Sequence, residues 1–465
     1  MRNSVTLLLI LFFLAASCLV VYPALSSAEI AENSWAPKAS LSKARHSLGA
    51  AVVNGKIYAI GGIMLTYQDS LRTESKEVGI KEEYDPATNT WTLKKPMPEP
   101  LSDFATAVYE GKIYCIGGGV NRFFNFSTGR WDTKLTQGIN AVYDPASDTW
   151  EMKTPMPTPQ ASAQAHVVNG QIYCLGGFPN STLNEVYNPT TDTWTMKASS
   201  INPIGPSTVV NDKIYCIGSD YKWRIYDPVT DSWSVGSGGL PDFLTGAYVV
   251  ATTGIMAPKR IYVFYNPSDA PSGWVYENQI YDPEADCWMS GARVPTQRDD
   301  FAVAVVDDLI YVIGGFTISS IVPIPPNNPS SVTTGFGTVE QYTPFGYGTV
   351  PPIIDVVSPV SQTYNESSVS LVFTVNKPVN WTGYSVDGGE AVTVAGNLTL
   401  EELANGVHNL TVYAKDAFGN TGASETVSFT VEVPFPATMV VAPIASVVVV
   451  GAVVAFYFRK RNEKR

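Results

Sequence analysis

The hydrophobic pattern of this chain repeats. An apolar run, a tight polar pair, a second apolar run and a glycine doublet read AAVVNGKIYAIGG from Ala50. The phrase returns as TAVYEGKIYCIGG from Thr106, AHVVNGQIYCLGG from Ala165 and VAVVDDLIYVIGG from Val303. Two β-rich runs around a pair such as Asn54-Gly55, which tolerates positive φ, predict a β-hairpin. A second phrase alternates with the first: EEYDPATNTW, AVYDPASDTW, EVYNPTTDTW, RIYDPVTDSW and QIYDPEADCW, ending at Trp91, Trp150, Trp194, Trp233 and Trp288. Its proline, fixed in φ after Asp or Asn, marks a short turn between two further strands. Each repeat therefore predicts one four-stranded antiparallel unit.

The tyrosines of the first phrase, Tyr58, Tyr114, Tyr173, Tyr215, Tyr262 and Tyr311, number six. The fifth copy, RIYVFYNP, lacks the glycines, which leaves the completeness of that unit open. The sixth reaches VEQYTPFG and then has no tryptophan, so NSWAPKAS around Trp35 is expected to supply its last strand. Closing a ring in this way removes the exposed sheet edges of an open array. A period near 50 residues with a glycine doublet, a tyrosine and a distant tryptophan resembles the kelch repeat over residues 33–345. The resemblance implies an all-β, six-bladed propeller.

After FGYGTVPP the pattern becomes short alternating strands over residues 351–433, which predicts a β-sandwich. It resembles the immunoglobulin-like modules of prokaryotic, particularly archaeal, surface proteins, and its place in the chain suits a stalk. Residues 437–458 carry no charge and are long enough for one transmembrane helix. The tail RKRNEKR at 459–465 puts the C-terminus in the cytoplasm by the positive-inside rule. Residues 1–28 read as a signal peptide with cleavage after Ala28. The expected location is thus the cell membrane, single-pass, with the N-terminal ectodomain outside.

Net charge is −12, and without Arg2 and the basic tail the remainder carries −17, which argues against nucleic-acid partners. Of five cysteines, Cys18 falls in the signal and Cys115, Cys174 and Cys216 share one slot of the repeat, where Ala59 and Val312 stand elsewhere. That slot wants a small apolar side chain, so these are expected to be buried thiols rather than disulfides or metal ligands.

Two faces follow from the repeat. One carries uniformly tight turns. The other carries the variable connections within blades 1, 2 and 6 and the loops between blades, and irregular loops on a rigid frame are where binding resides. Kelch proteins commonly place ligand contacts in these loops. Registering the repeats brings Arg45, Gln160 and Arg298 to one loop position, and Asp103 and Asp300 to another. The arginines are expected to grip a carboxylate or sugar acid by paired hydrogen bonds, or alternatively to make salt bridges between blades. Of the three histidines, His46, His166 and His408, the first two occupy different registers of the repeat, so no metal site and no cofactor is expected. Asp299 and Asp300 are adjacent acids that suit acid–base work, a cation or plain solvation. Asn-x-Ser/Thr sequons at Asn125, Asn180, Asn365, Asn380, Asn397 and Asn409 are glycosylation candidates.

The leading expectation is a non-enzymatic, membrane-anchored protein presenting its propeller to an extracellular glycan or protein. The alternatives are an extracytoplasmic enzyme similar to kelch-type sialic acid mutarotases, and a structural component of the cell surface.

Overall fold

The computed structural model describes residues 31–434 except 70–71, 126–129, 136–137, 241–243, 268–275 and 325–327. The expected signal, transmembrane helix and basic tail lie outside the described residues. Each repeat forms a four-stranded antiparallel sheet; blade 1, for example, runs Gly49–Val53, Lys56–Ile60, Lys81–Asp85 and Thr90–Lys94. Blade 5 is complete, with Leu244–Ala251, Ile261–Pro267, Glu277–Asp282 and Cys287–Gly291. Its second strand runs straight on to Pro267 where the other blades turn at glycines. Its first connection is the exception to the tight turns expected on that face, since residues 252–260 separate the two strands.

The innermost strands close a ring. Gly49–Val53 touches Ala105–Tyr109, and contact passes through Gln164–Val168, Ile204–Val210, Leu244–Ala251 and Ala302–Val306 back to Gly49–Val53. In blade 6 the outermost strand is Ser34–Lys38, paired antiparallel with Val339–Thr343, with Trp35 opposite Tyr342. The N-terminal strand expected from the missing tryptophan therefore completes the last blade.

Each seam between blades has its own hydrophobic cluster. Between blades 1 and 2 it joins Tyr58 and Ile60 to Leu101, Phe104, Ile113, Cys115 and Tyr143. Cys115, Cys174 and Cys216 are fully buried in three such seams, as the shared slot required. Polar staples accompany the apolar packing. In blades 1 to 5 the tyrosine of the third strand donates to the Asx five residues on: Tyr84 to Asn89, Tyr143 to Asp148, Tyr187 to Asp192, Tyr226 to Asp231 and Tyr281 to Asp286. In blade 6 the acceptor is Asn33. The neighbouring tryptophan reaches across the seam, as Trp150 Nε1 does to Lys95 O at 3.1 Å and Trp194 Nε1 to Thr154 O at 2.9 Å.

Residues 354–431 form two sheets, one of Ile354–Ser358, Val369–Val375 and Leu398–Leu400, the other built on Trp381–Val386, Gly406–Lys415 and Val427–Val431. Leu371 and Phe373 of the first meet Leu410, Val412 and Val431 of the second in a single core. Alternation along Gly406–Lys415 sends every second side chain into that core.

Candidate functional site: the loop face of the propeller

The loops between blades start where a glycine doublet of the preceding blade docks them. Gly315 N donates to Arg45 O at 3.0 Å, Gly62 N to Leu101 O and Gly118 N to Gln160 O, both at 2.8 Å. Both glycines of the blade 6 doublet have positive φ, and a Cβ on Gly314 would stand 2.5 Å from Arg45 O, so the close approach needs glycine.

Docking at the backbone turns the Arg45 and Arg298 side chains inward. Both are fully buried. Arg45 pairs with Glu82 and donates to Ala59 O at 3.1 Å. Arg298 pairs with Glu340 at 3.0 Å and donates to Val312 O at 3.1 Å. Each glutamate stands on the third strand of the blade that follows the loop, so the pair ties a loop to its own blade. Burial withdraws both guanidiniums from any ligand at the surface, which is why the expected carboxylate grip does not fit this geometry. Gln160 is also buried, and its Oε1 accepts from Asn180 N at 3.2 Å. In blade 2 the same two positions hold Leu101 and Ala141, again buried, so an apolar pair replaces the charged one.

Two residues beyond the docked position the chain turns left-handed in four blades: Ser47, Asp103, Ser162 and Asp300 have φ of 51°, 54°, 55° and 51°. They are linked head to tail. Ser47 N donates to Asp300 O at 2.8 Å, Asp103 N to Ser47 O at 3.1 Å and Ser162 N to Asp103 O at 2.6 Å. The arc runs over blades 6, 1, 2 and 3, and blades 4 and 5 do not continue it. Asp103 and Asp300 are thus brought together in one arc, apart from the buried Arg45, Gln160 and Arg298.

Beside Asp300 lies a cluster that the repeats do not reveal. Asp299 Oδ1 accepts from Tyr276 Oη at 2.5 Å, Tyr248 Oη at 2.9 Å and Asp300 N at 2.8 Å. Burial, then the neighbouring Asp300 charge, pushes the Asp299 carboxyl above the usual carboxylate range. Gly246 is exposed, with φ of 57°, and a Cβ there would lie 3.0 Å from Tyr276 Oη. The bare backbone thus packs close to that hydroxyl and carboxyl, which a side chain would crowd. His46 packs against Phe316 with ring centroids 4.7 Å apart and planes tilted by 51°, and its Nδ1 lies 3.1 Å from Ser47 Oγ and 3.6 Å from Asp300 Oδ2. Serine and aspartate meet the same ring nitrogen, so this trio cannot relay a proton as a nucleophile triad does.

Three two-stranded ribbons rise from the connections of blades 6, 1 and 2: Phe316–Ile324 with Asn328–Gly335, Ile63–Asp69 with Arg72–Glu77, and Gly119–Asn125 with Arg130–Leu135. They stand side by side, Asn328–Gly335 against Ile63–Asp69 and Arg72–Glu77 against Gly119–Asn125. The variable segments are therefore a continuous wall over one half of the mouth. Of the sequons, Asn180, Asn365, Asn380, Asn397 and Asn409 are exposed. Asn125 ends a ribbon strand.

The Kelch motif matches residues 161–200, which span blade 3. The chain is 30% identical to Kelch-like protein 35 of Mus musculus over 31% of this chain and 29% of that protein. It is 25% identical to Kelch-like protein 15 of Danio rerio over 57% and 38% of the two chains. It thus spans less than two fifths of the length of these relatives. Among solved structures, "Structure of YjhT" covers 63% of this chain and 99% of its own, at 13% identity and a TM-score of 0.45. The repeated phrases, the closed ring of four-stranded sheets and the matched motif make this chain a kelch-repeat β-propeller protein.

Proposed function

We propose that the chain is a cell-surface binding protein whose propeller mouth receives a neutral, hydroxyl-rich glycan. The observation that carries this reading is the asymmetry of the mouth. One half is walled by three ribbons and floored by the Ser47, Asp103, Ser162 and Asp300 arc, and among the described residues blades 3 to 5 raise no such ribbon. Carboxylates and hydroxyls beside an aromatic ring such as Phe316 suit sugar hydroxyls and C–H faces. With Arg45 and Arg298 paired inside, the rim has Asp103, Asp299 and Asp300 and so disfavours acidic sugars. Residues 437–458 would anchor the protein, and the two-sheet unit would serve as an immunoglobulin-like stalk with sequons on its surface.

The test is thermal unfolding of the purified chain against neutral, acidic and amino sugars, beside Asp300→Asn and Ser47→Ala. A neutral oligosaccharide at a hundredfold excess over its Kd should stabilise the folded state by about 2.7 kcal/mol, and the variants should lose that gain. Stabilisation by acidic sugars alone would overturn the reading.

One observation favours a second reading. Asp299 retains its proton above the usual range beside the Asp300 carboxylate, and such a pair suits acid–base chemistry on a bound sugar. Sugar anomerisation followed by NMR, abolished by Asp299→Asn with ligand affinity retained, would establish it; an unchanged rate would remove it.

A further inference from the structure

The propeller leaves its ring in a defined direction. Third strands run from the loop face to the face of the tight turns, so the chain exits after Val339–Thr343 on the turn face. Outermost strands start from that same face, so the segment before Ser34–Lys38 also joins there. The ribbons and the mouth lie on the opposite side.

The exit is held along its length. Gly346 N donates to Glu32 Oε2 at 2.8 Å, and Arg260 Nη1 to Phe345 O at 3.4 Å. Gly348 N donates to Met256 O at 2.7 Å, on the long first connection of blade 5. That connection is itself clamped by the fully buried Asp308, whose carboxylate accepts from Thr253 Oγ1 at 2.7 Å and from the amides of Ile255, Met256 and Ala257 at 3.0, 2.7 and 2.9 Å.

The two-sheet unit grips the other side of the same residues. Asn420 Nδ2 donates to Gly348 O at 2.6 Å, and Phe418 packs edge-on against Tyr347 at 6.1 Å. Lys377, paired with Asp416 at 2.8 Å and buried with it, donates to Val350 O. Adjacent domains by default move relative to each other across a soluble linker. A linker with few backbone groups left to water has lost that freedom.

We infer that residues 345–352 form a rigid elbow, so that propeller and two-sheet unit move as one body with the two-sheet unit joined at the turn face, opposite the ribbon-walled mouth. The geometry serves a ligand displayed on an opposing surface rather than on the surface that carries the protein. This last step rests on the proposed binding and anchoring.

The test uses the full chain with Cys18 and Cys287, the exposed thiol among the described residues, replaced by serine, and spin labels at Ser147→Cys on the turn face and Glu366→Cys on the two-sheet unit. Pulsed electron resonance should give one narrow distance. A Gly-Ser insertion between Gly348 and Thr349 should abolish that peak and give a broad distribution, with a circular dichroism spectrum unchanged from the parent. A broad distribution in the uninserted protein would overturn the elbow, as would a narrow one surviving the insertion. No ligand enters the measurement, so failure of the glycan reading is scored separately.

Discussion

Tyr342 Oη donates to Asn33 Oδ1 at 2.8 Å across 309 residues of chain, and the same oxygen accepts from Ala292 N at 2.5 Å. Asn33 reproduces in blade 6 what Asn89 or Asp148 does within its own blade, down to a φ of 49°. Asn33→Ala should therefore cost about 1–3 kcal/mol, from two lost acceptor contacts and a strained left-handed backbone without a compensating bond. Asn33→Asp should be close to neutral, because four blades already use aspartate there. Urea midpoints at neutral pH distinguish the two.

The Arg45–Glu82 pair permits a sharper test. Glu82→Ala leaves a buried guanidinium without its counter-charge and should destabilise by about 3–5 kcal/mol. The double change Arg45→Leu with Glu82→Ala copies the Leu101 and Ala141 of blade 2 and should recover most of that loss. A double variant as unstable as the single one would show that the pair does more than fill the space between the loop and its blade.

Lys81 is fully buried between blades 1 and 2, its ammonium over the rings of Tyr143 and Trp150 and 3.4 Å from Asp148, and burial pushes its pKa down to about 8. Blades 2, 3 and 5 place Asn140, Asn184 and Asn278 at this position, each donating to a carbonyl just past the outermost strand of its own blade, and blades 4 and 6 place Trp223 and Val339 there. Lys81→Asn should be neutral or stabilising at pH 7, read by calorimetry.

Two histidines should give opposite pH dependences. His408 has Nδ1 2.7 Å from Asp387 Oδ2 and Nε2 2.7 Å from Ala404 O, and the carbonyl first, then the carboxylate, raises its pKa. Its contribution is full below about pH 6.5 and is lost as pH rises through the raised folded value. Burial pushes His166, 2.7 Å from Ser207 Oγ, down to about 4, so its contribution is full above about pH 6.5 and is lost as pH falls toward that value. Unfolding profiles of His408→Gln and His166→Gln, each compared with the parent from pH 4.5 to 8.5, should diverge from it in shape at opposite ends.

The frame is legible in the sequence because the same seam is built again and again. Tyrosine, Asx and tryptophan must recur at fixed offsets, and the lone NSW at Asn33 stands out for the same reason. The mouth is less legible. Arg45 and Glu82 lie 37 residues apart with a ribbon of irregular length between them, so no spacing announces the pair that turns the arginine inward. Tyr248 and Tyr276 sit in blade 5, where the phrase lacks its glycines, and their convergence on Asp299 depends on a fold that no local pattern encodes. Gly246 carries no signal either, since what it supplies is a close backbone approach to a tyrosine hydroxyl.

The strand swapped in at blade 6 also orders events in time. Ser34–Lys38 is synthesised some three hundred residues before its partner strand. Through that interval Trp35 lacks the carbonyl of Ala292 and the rings of Phe264 and Tyr342 that later enclose it. Five blades can stack as they emerge, but the seam on either side of blade 6 must wait for both ends of the ring. During synthesis, closure thus cannot precede the emergence of Val339–Thr343, and a protease that severs the chain between Lys38 and Gly49 would leave the closing strand held by noncovalent contacts alone.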